Sequence, residues 1–430
     1  MKNSAHIKQQ VDVCIGKVGT PVGNLTYVKQ GQRENTVFAY EETWLANPDK
    51  FKVSPDLELT AGHQSRKAPS KHDSVFHFAF ADTEPDAWGR RVIARDHAKR
   101  RKEDAKLAAL TEMDYLLAVD DFSRMGALRL RDKTGRFLRS AEEGKRSTPP
   151  LVELQRMYDA SRAVEKGEET TEDLKYLQGK GTSLGGMRPK CTIIDDNGLL
   201  AIGKFPSVND TRSVTRGEVL ALCLAGRAGI DAASARIVEI DEVPITIIQR
   251  FDRANDNGRI PYLSAASMLQ ASREEDHTYT EIVDAIRANG SAPTEDVQQL
   301  WRRIVFNLLI TNVDDHLQNQ GFLHVDKAQW RLAPAFDINP FPDKERESKT
   351  WLSEQDGPIM DLRTLMARCA YFSLTPAEAL GTLSDIYNSV TNWRSVALSV
   401  AVGLKPNELE DFAPAFEHDQ IVEAQTLLNS

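Results

Sequence analysis

The chemistry-bearing stretch of this chain is Thr311–Asn319, TNVDDHLQN, which crowds Asp314, Asp315, His316 and Asn319 directly behind an apolar helical pattern. An Asp that takes the proton of an attacking hydroxyl, with an Asn five residues on that binds magnesium, is an arrangement suited to phosphoryl transfer. Asp314 and Asn319 have that spacing. Asp337, in LAPAFDINPFP, follows eighteen residues later, where a second acidic metal ligand could arrive from the end of a strand. A loop tip suits such work, because base and metal ligand must converge on one phosphate while rigid elements hold them. The Asp–Asn spacing alone is weak, so the reading depends on what the upstream chain supplies.

Upstream, GKGTSLGGMRPKCTIIDDNGLLAIGKFPS brings Gly179, Gly181, Gly185 and Gly186 around Thr182 and Ser183. Glycines let backbone N–H groups approach phosphate oxygens closely, although the run matches neither GxxxxGK[ST] nor GxGxxG. A flexible hairpin approach explains the glycines equally well. The turn Asp196-Asn197-Gly198 reverses the chain into LLAIGKF, placing Lys204 in an apolar strand. A lysine is expensive to bury there without a partner. Glu218 opens the next helix, where the helix dipole favours an acid; an ion pair with Lys204 is the alternative. Strand patterns ASARIVEI and VPITIIQRFDR follow, and Gln249–Phe251 then form a connector able to offer backbone groups to a purine.

Around these groups the elements read simply. The first 140 residues alternate Val-, Tyr- and Phe-rich strand patterns with turns, one of them at Met125-Gly126. DAWGRRVIARDHAKRRKEDAKLAAL reads as a helix bearing Arg90, Arg91, Arg95, Lys99, Arg100, Arg101 and Lys102; a solvated face and a phosphate-contacting surface both fit it. Residues 133–180 are polar and hold Pro149-Pro150, the expected junction between an N-terminal module and the rest. From about 260 onward helices dominate. Val297, Trp301, Ile304, Val305 and Leu308 form a buried stripe that ends at the Asp314 loop, and Thr375, Pro376 and Glu378 form a capping box.

Composition sets the outer limits. At 430 residues, two or three domains are expected. No apolar run is long enough to span a bilayer, and MKNSAHIKQQ has no apolar core of a secretory signal, so no membrane role and a cytoplasmic location are expected. Cys14, Cys191, Cys223 and Cys369 form no CxxC pair, which argues against zinc and a disulfide framework. A net charge of −9 gives no global attraction to nucleic acid.

Taken together, glycine loop, strand lysine, helix glutamate, connector, Asp/Asn loop and second Asp stand in kinase order. In detail they resemble the HipA family of bacterial toxin kinases. GTSLGGMRPK resembles its serine-containing loop, IIQRFDR its connector, NVDDHLQN its catalytic loop and LAPAFDI its metal segment, while FADTEPDAWGRR and FSRMGALRL resemble its N-terminal subdomain. Two departures are Asp315 beside the presumed base and Gln249 at a connector position that is often acidic.

The resemblance implies an α+β, two-lobed kinase-like fold with small antiparallel sheets and an α-helical C-terminal lobe. Its divisions would be an N-terminal subdomain (1–148), a kinase N-lobe (149–256) and a C-lobe (257–430). It implies an ATP- and Mg2+-dependent serine/threonine protein kinase, the toxin of a toxin–antitoxin pair. The implied partners are a HipB-like helix-turn-helix antitoxin, operator DNA reached through it, and a protein substrate such as an aminoacyl-tRNA synthetase. Asp314 becomes the base, and Asn319 and Asp337 the metal ligands. Gly185, Gly186, Met187, Arg188, Pro189, Lys190, Lys204, Gln249, Arg250, Phe251, His316 and Phe336 become nucleotide contacts. Asp315 becomes structural or metal-orienting, and Ser183 the site of inactivating autophosphorylation. A small-molecule phosphotransferase of the aminoglycoside-kinase type and a non-catalytic co-repressor are the competing expectations.

Overall fold

The computed structural model describes residues 6–141, 148–179 and 186–430. Alternating apolar residues first build an antiparallel sheet from β1 (His6–Ile15), β2 (Thr20–Gln30), β3 (Arg33–Tyr40), β4 (Gln64–Arg66) and β5 (Leu128–Arg131), in the order β4-β3-β2-β1-β5. Its inward residues Val13, Val22, Leu25, Tyr27 and Phe38 are fully buried. The basic helix runs over Ala87–Glu103 and ends at Asp104, short of the expected LAAL segment. Four of its cations hold neighbouring chain: Arg90 pairs with Glu84 and Glu112, Arg95 with Glu169, Lys99 bonds the Glu169 carbonyl, and Arg91 bonds those of Val164 and Glu165. The helices Leu154–Lys166 and Thr171–Gly179 pack on it through Trp88, Val92, Ala160, Val164, Leu174 and Leu177.

The second sheet comprises β6 (Lys190–Ile194), β7 (Leu200–Lys204), β8 (Ala235–Ile240) and β9 (Val243–Gln249), all antiparallel in the order β6-β7-β9-β8. The helix Val214–Arg227 lies against it and is buried on nearly all sides. Gly229, at φ +74, ends that helix in the left-handed region that glycine adopts without strain.

The C-terminal lobe is helical apart from two small antiparallel sheets. One joins β10 (Tyr262–Ser264), β11 (Gly321–Asp326) and β12 (Gln329–Leu332); the other pairs β13 (Trp351–Ser353) with β14 (Gly357–Pro358). The helix Pro293–Leu309 buries the expected stripe of Val297, Trp301, Ile304, Val305 and Leu308. The helix Pro376–Thr391 begins with the capping box of Thr375 and Glu378. Among the described residues no helix is long and apolar enough to cross a membrane.

Candidate active site

The Pro293–Leu309 helix ends because Thr311 turns left-handed at φ +54. The turn is locked from several directions. Asn312 N donates to the Asn307 carbonyl at 2.8 Å, Thr311 Oγ1 to that of Ala415 at 3.1 Å, and Phe341 N to that of Thr311 at 3.1 Å. The last of these bonds ties the Asp314 loop to the chain just beyond Asp337. Within the loop, Asn319 Nδ2 donates to the Asp314 carbonyl at 2.7 Å, and its Oδ1 accepts from no described residue.

Asp337 reaches the site from β12. Ala335 N donates to the Asp231 carbonyl and Ala233 N to that of Ala335, both at 2.8 Å, clamping this segment to the N-lobe. Asp337 then adopts φ +55, an uncommon conformation for a non-glycine residue and one worth noting at a functional position. Its Oδ1 lies 2.6 Å from Lys204 Nζ, which also pairs with Glu218. The ion pair therefore exists, whereas the dipole reading fails: the helix begins at Val214, so Glu218 lies beyond its first turn. Burial pushes the Asp337 carboxyl up, but the Lys204 and Lys190 ammonium groups outweigh it and hold the acid at about 2. Burial disfavours charge on Lys204 as well, yet its two carboxylate partners raise it above the ordinary lysine range. Glu218 is raised by burial, against the pull of Lys204.

His316 lies within electrostatic reach of Asp314, Asp337 and Lys349. Burial lowers its pKa, and its Nδ1 is buried without a hydrogen-bond partner among the described residues. The Asp315 carboxylate accepts from Tyr279 Oη at 2.6 Å and from Lys349 N at 2.8 Å.

The nucleotide contacts divide. Ser183 and Gly185 lie outside the described residues. Gly186 and Arg188 sit at the mouth of β6, with Arg188 paired to Asp210 and Met187 81% exposed. Pro189 has no N–H to donate, and its carbonyl accepts from Phe205 N at 3.0 Å. Lys190 is buried, 3.3 Å from Asp86, the N-cap of the Ala87–Glu103 helix. In the connector, Gln249 N and Arg250 N are taken by the carbonyls of Ser234 and Leu200. The Arg250 side chain turns into a buried pairing with Asp252 and the Ser123 carbonyl. Phe251 and Phe336 meet at 5.3 Å between ring centroids, half-buried where the lobes join. Lys349, paired with Asp314, had no sequence signal at all, being one lysine in a polar run.

Among the described residues no group of three or more His, Cys, Asp or Glu is placed to hold a metal unaided. An ionised Asp337 and the Asn319 Oδ1 nevertheless fit magnesium, a hard cation usually held by one or two protein oxygens together with phosphates and water. The fold and this constellation define a two-lobed, kinase-like protein.

The chain matches the family models for the HipA N-terminal domain over residues 11–130 and the HipA-like C-terminal domain over residues 182–394; it belongs to the HipA family. Its relatives include Y4mE of Sinorhizobium fredii, 24% identical over 343 residues, spanning 74% of this chain and 75% of that protein. Y4dM of the same organism is 25% identical over 338 residues with the same coverage, and the names of both class them provisionally as kinases. Among solved structures, HipA of Shewanella oneidensis MR-1, from a toxin–antitoxin complex with HipB and operator DNA, aligns over 98% of this chain and 99% of its own. The TM-score is 0.68 at 16% identity, so that likeness speaks to the fold.

Proposed function

We propose that this chain is an ATP- and Mg2+-dependent serine/threonine protein kinase, acting in the cytoplasm as the toxin of a toxin–antitoxin pair. The observation that carries the reading is the convergence of Lys204, Glu218 and Asp337 from three elements, beside the loop in which Asn319 bonds the Asp314 carbonyl. Lys204 would exchange its Asp337 contact for the nucleotide phosphates. Asp337 and Asn319 Oδ1 would then hold the metal, whose charge screens the phosphates. Asp314 takes the proton of the attacking hydroxyl as that oxygen bonds the γ-phosphorus; the bond to the bridging oxygen breaks and ADP leaves. Phe251 and Phe336 are placed to contact the base.

The partners follow by analogy with the Shewanella complex: a HipB-like helix-turn-helix antitoxin, and operator DNA through it. A chain of net charge −9 needs such an intermediary. The target would be a translation protein such as an aminoacyl-tRNA synthetase. Phosphate on Ser183 would add about −1.5 to −2 charges beside the nucleotide phosphates and inactivate the enzyme.

The test compares wild type with Asp314→Asn. ADP production should fall roughly 10²–10⁴-fold while Mg-ATP affinity stays nearly unchanged. Mass spectrometry should find phosphate on Ser183 in the wild type alone. Turnover in the variant equal to wild type would sink the assignment of Asp314.

A further inference from the structure

The segment beyond Asp337 returns to the catalytic loop, and two neighbouring carboxylates receive it. Asp315, 3% exposed, takes its backbone: Oδ1 accepts from Lys349 N at 2.8 Å and from Thr350 N at 3.4 Å. The Asp315 carbonyl accepts from Thr350 Oγ1 at 2.6 Å, and Trp351 N bonds the His277 carbonyl at 2.9 Å. Tyr279, fully buried, anchors the other Asp315 oxygen at 2.6 Å. With its backbone fixed in this way, Lys349 directs its ammonium group onto Asp314 Oδ1.

The two side chains of that ion pair are 58% and 40% exposed, and a solvent-exposed pair contributes little to stability. The five bonds fix the backbone from which this pair is made. Lys349 is also the one cation paired with Asp314 among the described residues.

We infer that Lys349 is a positioning residue for phosphoryl transfer: it fixes the Asp314 carboxylate toward the attacking hydroxyl, and Asp315 and Tyr279 exist beside the base to hold Lys349. The inference rests on the kinase reading above. It also explains why the loop carries two adjacent acids. One binds the backbone of the returning segment, and the other is the base that its side chain steers. A small error in placing a base costs heavily in rate, whereas nucleotide affinity depends on Lys204, Asp337 and Asn319 instead.

The experiment uses the full chain as wild type, Lys349→Met and Lys349→Arg, measuring ADP production from Mg-ATP, Mg-ATP affinity by calorimetry, and thermal unfolding. Because Lys349 is exposed, each variant should fold with an unchanged midpoint. Lys349→Met should lose roughly 10–100-fold in kcat, the scale set by misplaced catalytic groups, with KM and Mg-ATP affinity held. Lys349→Arg should recover most of that loss, since charge and reach are retained. Equal kcat in wild type and Lys349→Met overturns the inference alone. So does a kcat loss accompanied by lost affinity and a lowered unfolding temperature, which marks a merely structural residue. No ADP from the wild type removes the kinase reading, and this inference with it.

Discussion

Two buried charge clusters flank the connector, and they differ in what they leave open. At its end, Asp252 is 1% exposed and fully used: Oδ1 accepts from Arg250 Nε at 2.8 Å, and Oδ2 from Arg253 at 2.6 Å and Gly126 N at 2.7 Å. Both arginines continue to the carbonyls of residues 122–126, welding the N-terminal module to the connector. At the candidate active site, Asp337 meets Lys204 through one oxygen, and its other oxygen accepts from no described residue. Burial opposes ionisation in both acids, and cations reverse it, holding Asp252 far below the usual carboxylate range and Asp337 at about 2. A depressed carboxylate pKa therefore does not by itself identify a site. Asp337 differs from Asp252 in keeping one oxygen without a described donor.

The largest effect expected is in the closed cluster. Asp252→Asn leaves two buried guanidiniums facing a neutral amide and should cost about 3–5 kcal/mol of stability. The sign with pH is definite. Asp252 has a depressed folded pKa, so its contribution is complete above the unfolded value of about 3.9 and is lost as pH falls toward the folded value. The deficit in urea unfolding should thus be equal at pH 5 and pH 8, and Mg-ATP affinity per folded molecule should not move. A stability loss below about 1 kcal/mol would show that the network is ornamental.

The open cluster should respond the other way. Lys204→Met removes the cation between Glu218 and Asp337 and should abolish Mg-ATP binding, with a smaller stability loss of about 1–3 kcal/mol. Two carboxylates left facing each other titrate higher in the folded state than in the unfolded one. Stability then rises as pH falls toward those raised values, so the deficit should be smaller at pH 5 than at pH 8. A deficit identical at both pH values would mean that the two clusters work alike.

What was legible in the sequence follows the same division. Asp314, Asn319, Asp337, Lys204 and Glu218 stand in fixed order with chemistry written in their types, and the helix stripe behind them has a clear period. The connector was read for its backbone groups, and the side-chain partners of Arg250, Ser123 and Asp252, depend on tertiary packing that nothing local shows. Lys349 lies 35 residues from its partner Asp314 in an undistinguished polar run. The C-terminal sheets escaped because β10, β13 and β14 are only two or three residues long, too short to display an alternation.

The smallest effect expected sharpens the contrast at a single methyl group. Gly186 holds φ +95, and a Cβ there would come 2.8 Å from Lys190 Nζ. The ammonium group could yield if it were free, but it is buried 3.3 Å from Asp86. Asp86 is fixed in turn, its Oδ1 capping Gly89 N at 2.6 Å. Gly186→Ala therefore strains the backbone and pushes Lys190 off its partner, and Lys190 is one of the two cations that keep Asp337 ionised. Backbone strain of this kind costs about 1 kcal/mol or somewhat more, and a chain end entering β6 can relax part of it. Global stability should change by less than for either charge variant. Nucleotide binding should register the change more strongly, with Mg-ATP affinity falling about tenfold, equivalent to about 1.4 kcal/mol. Affinity unchanged beside a clear loss of stability would place Gly186 with the closed network, as a folding residue rather than part of the nucleotide site.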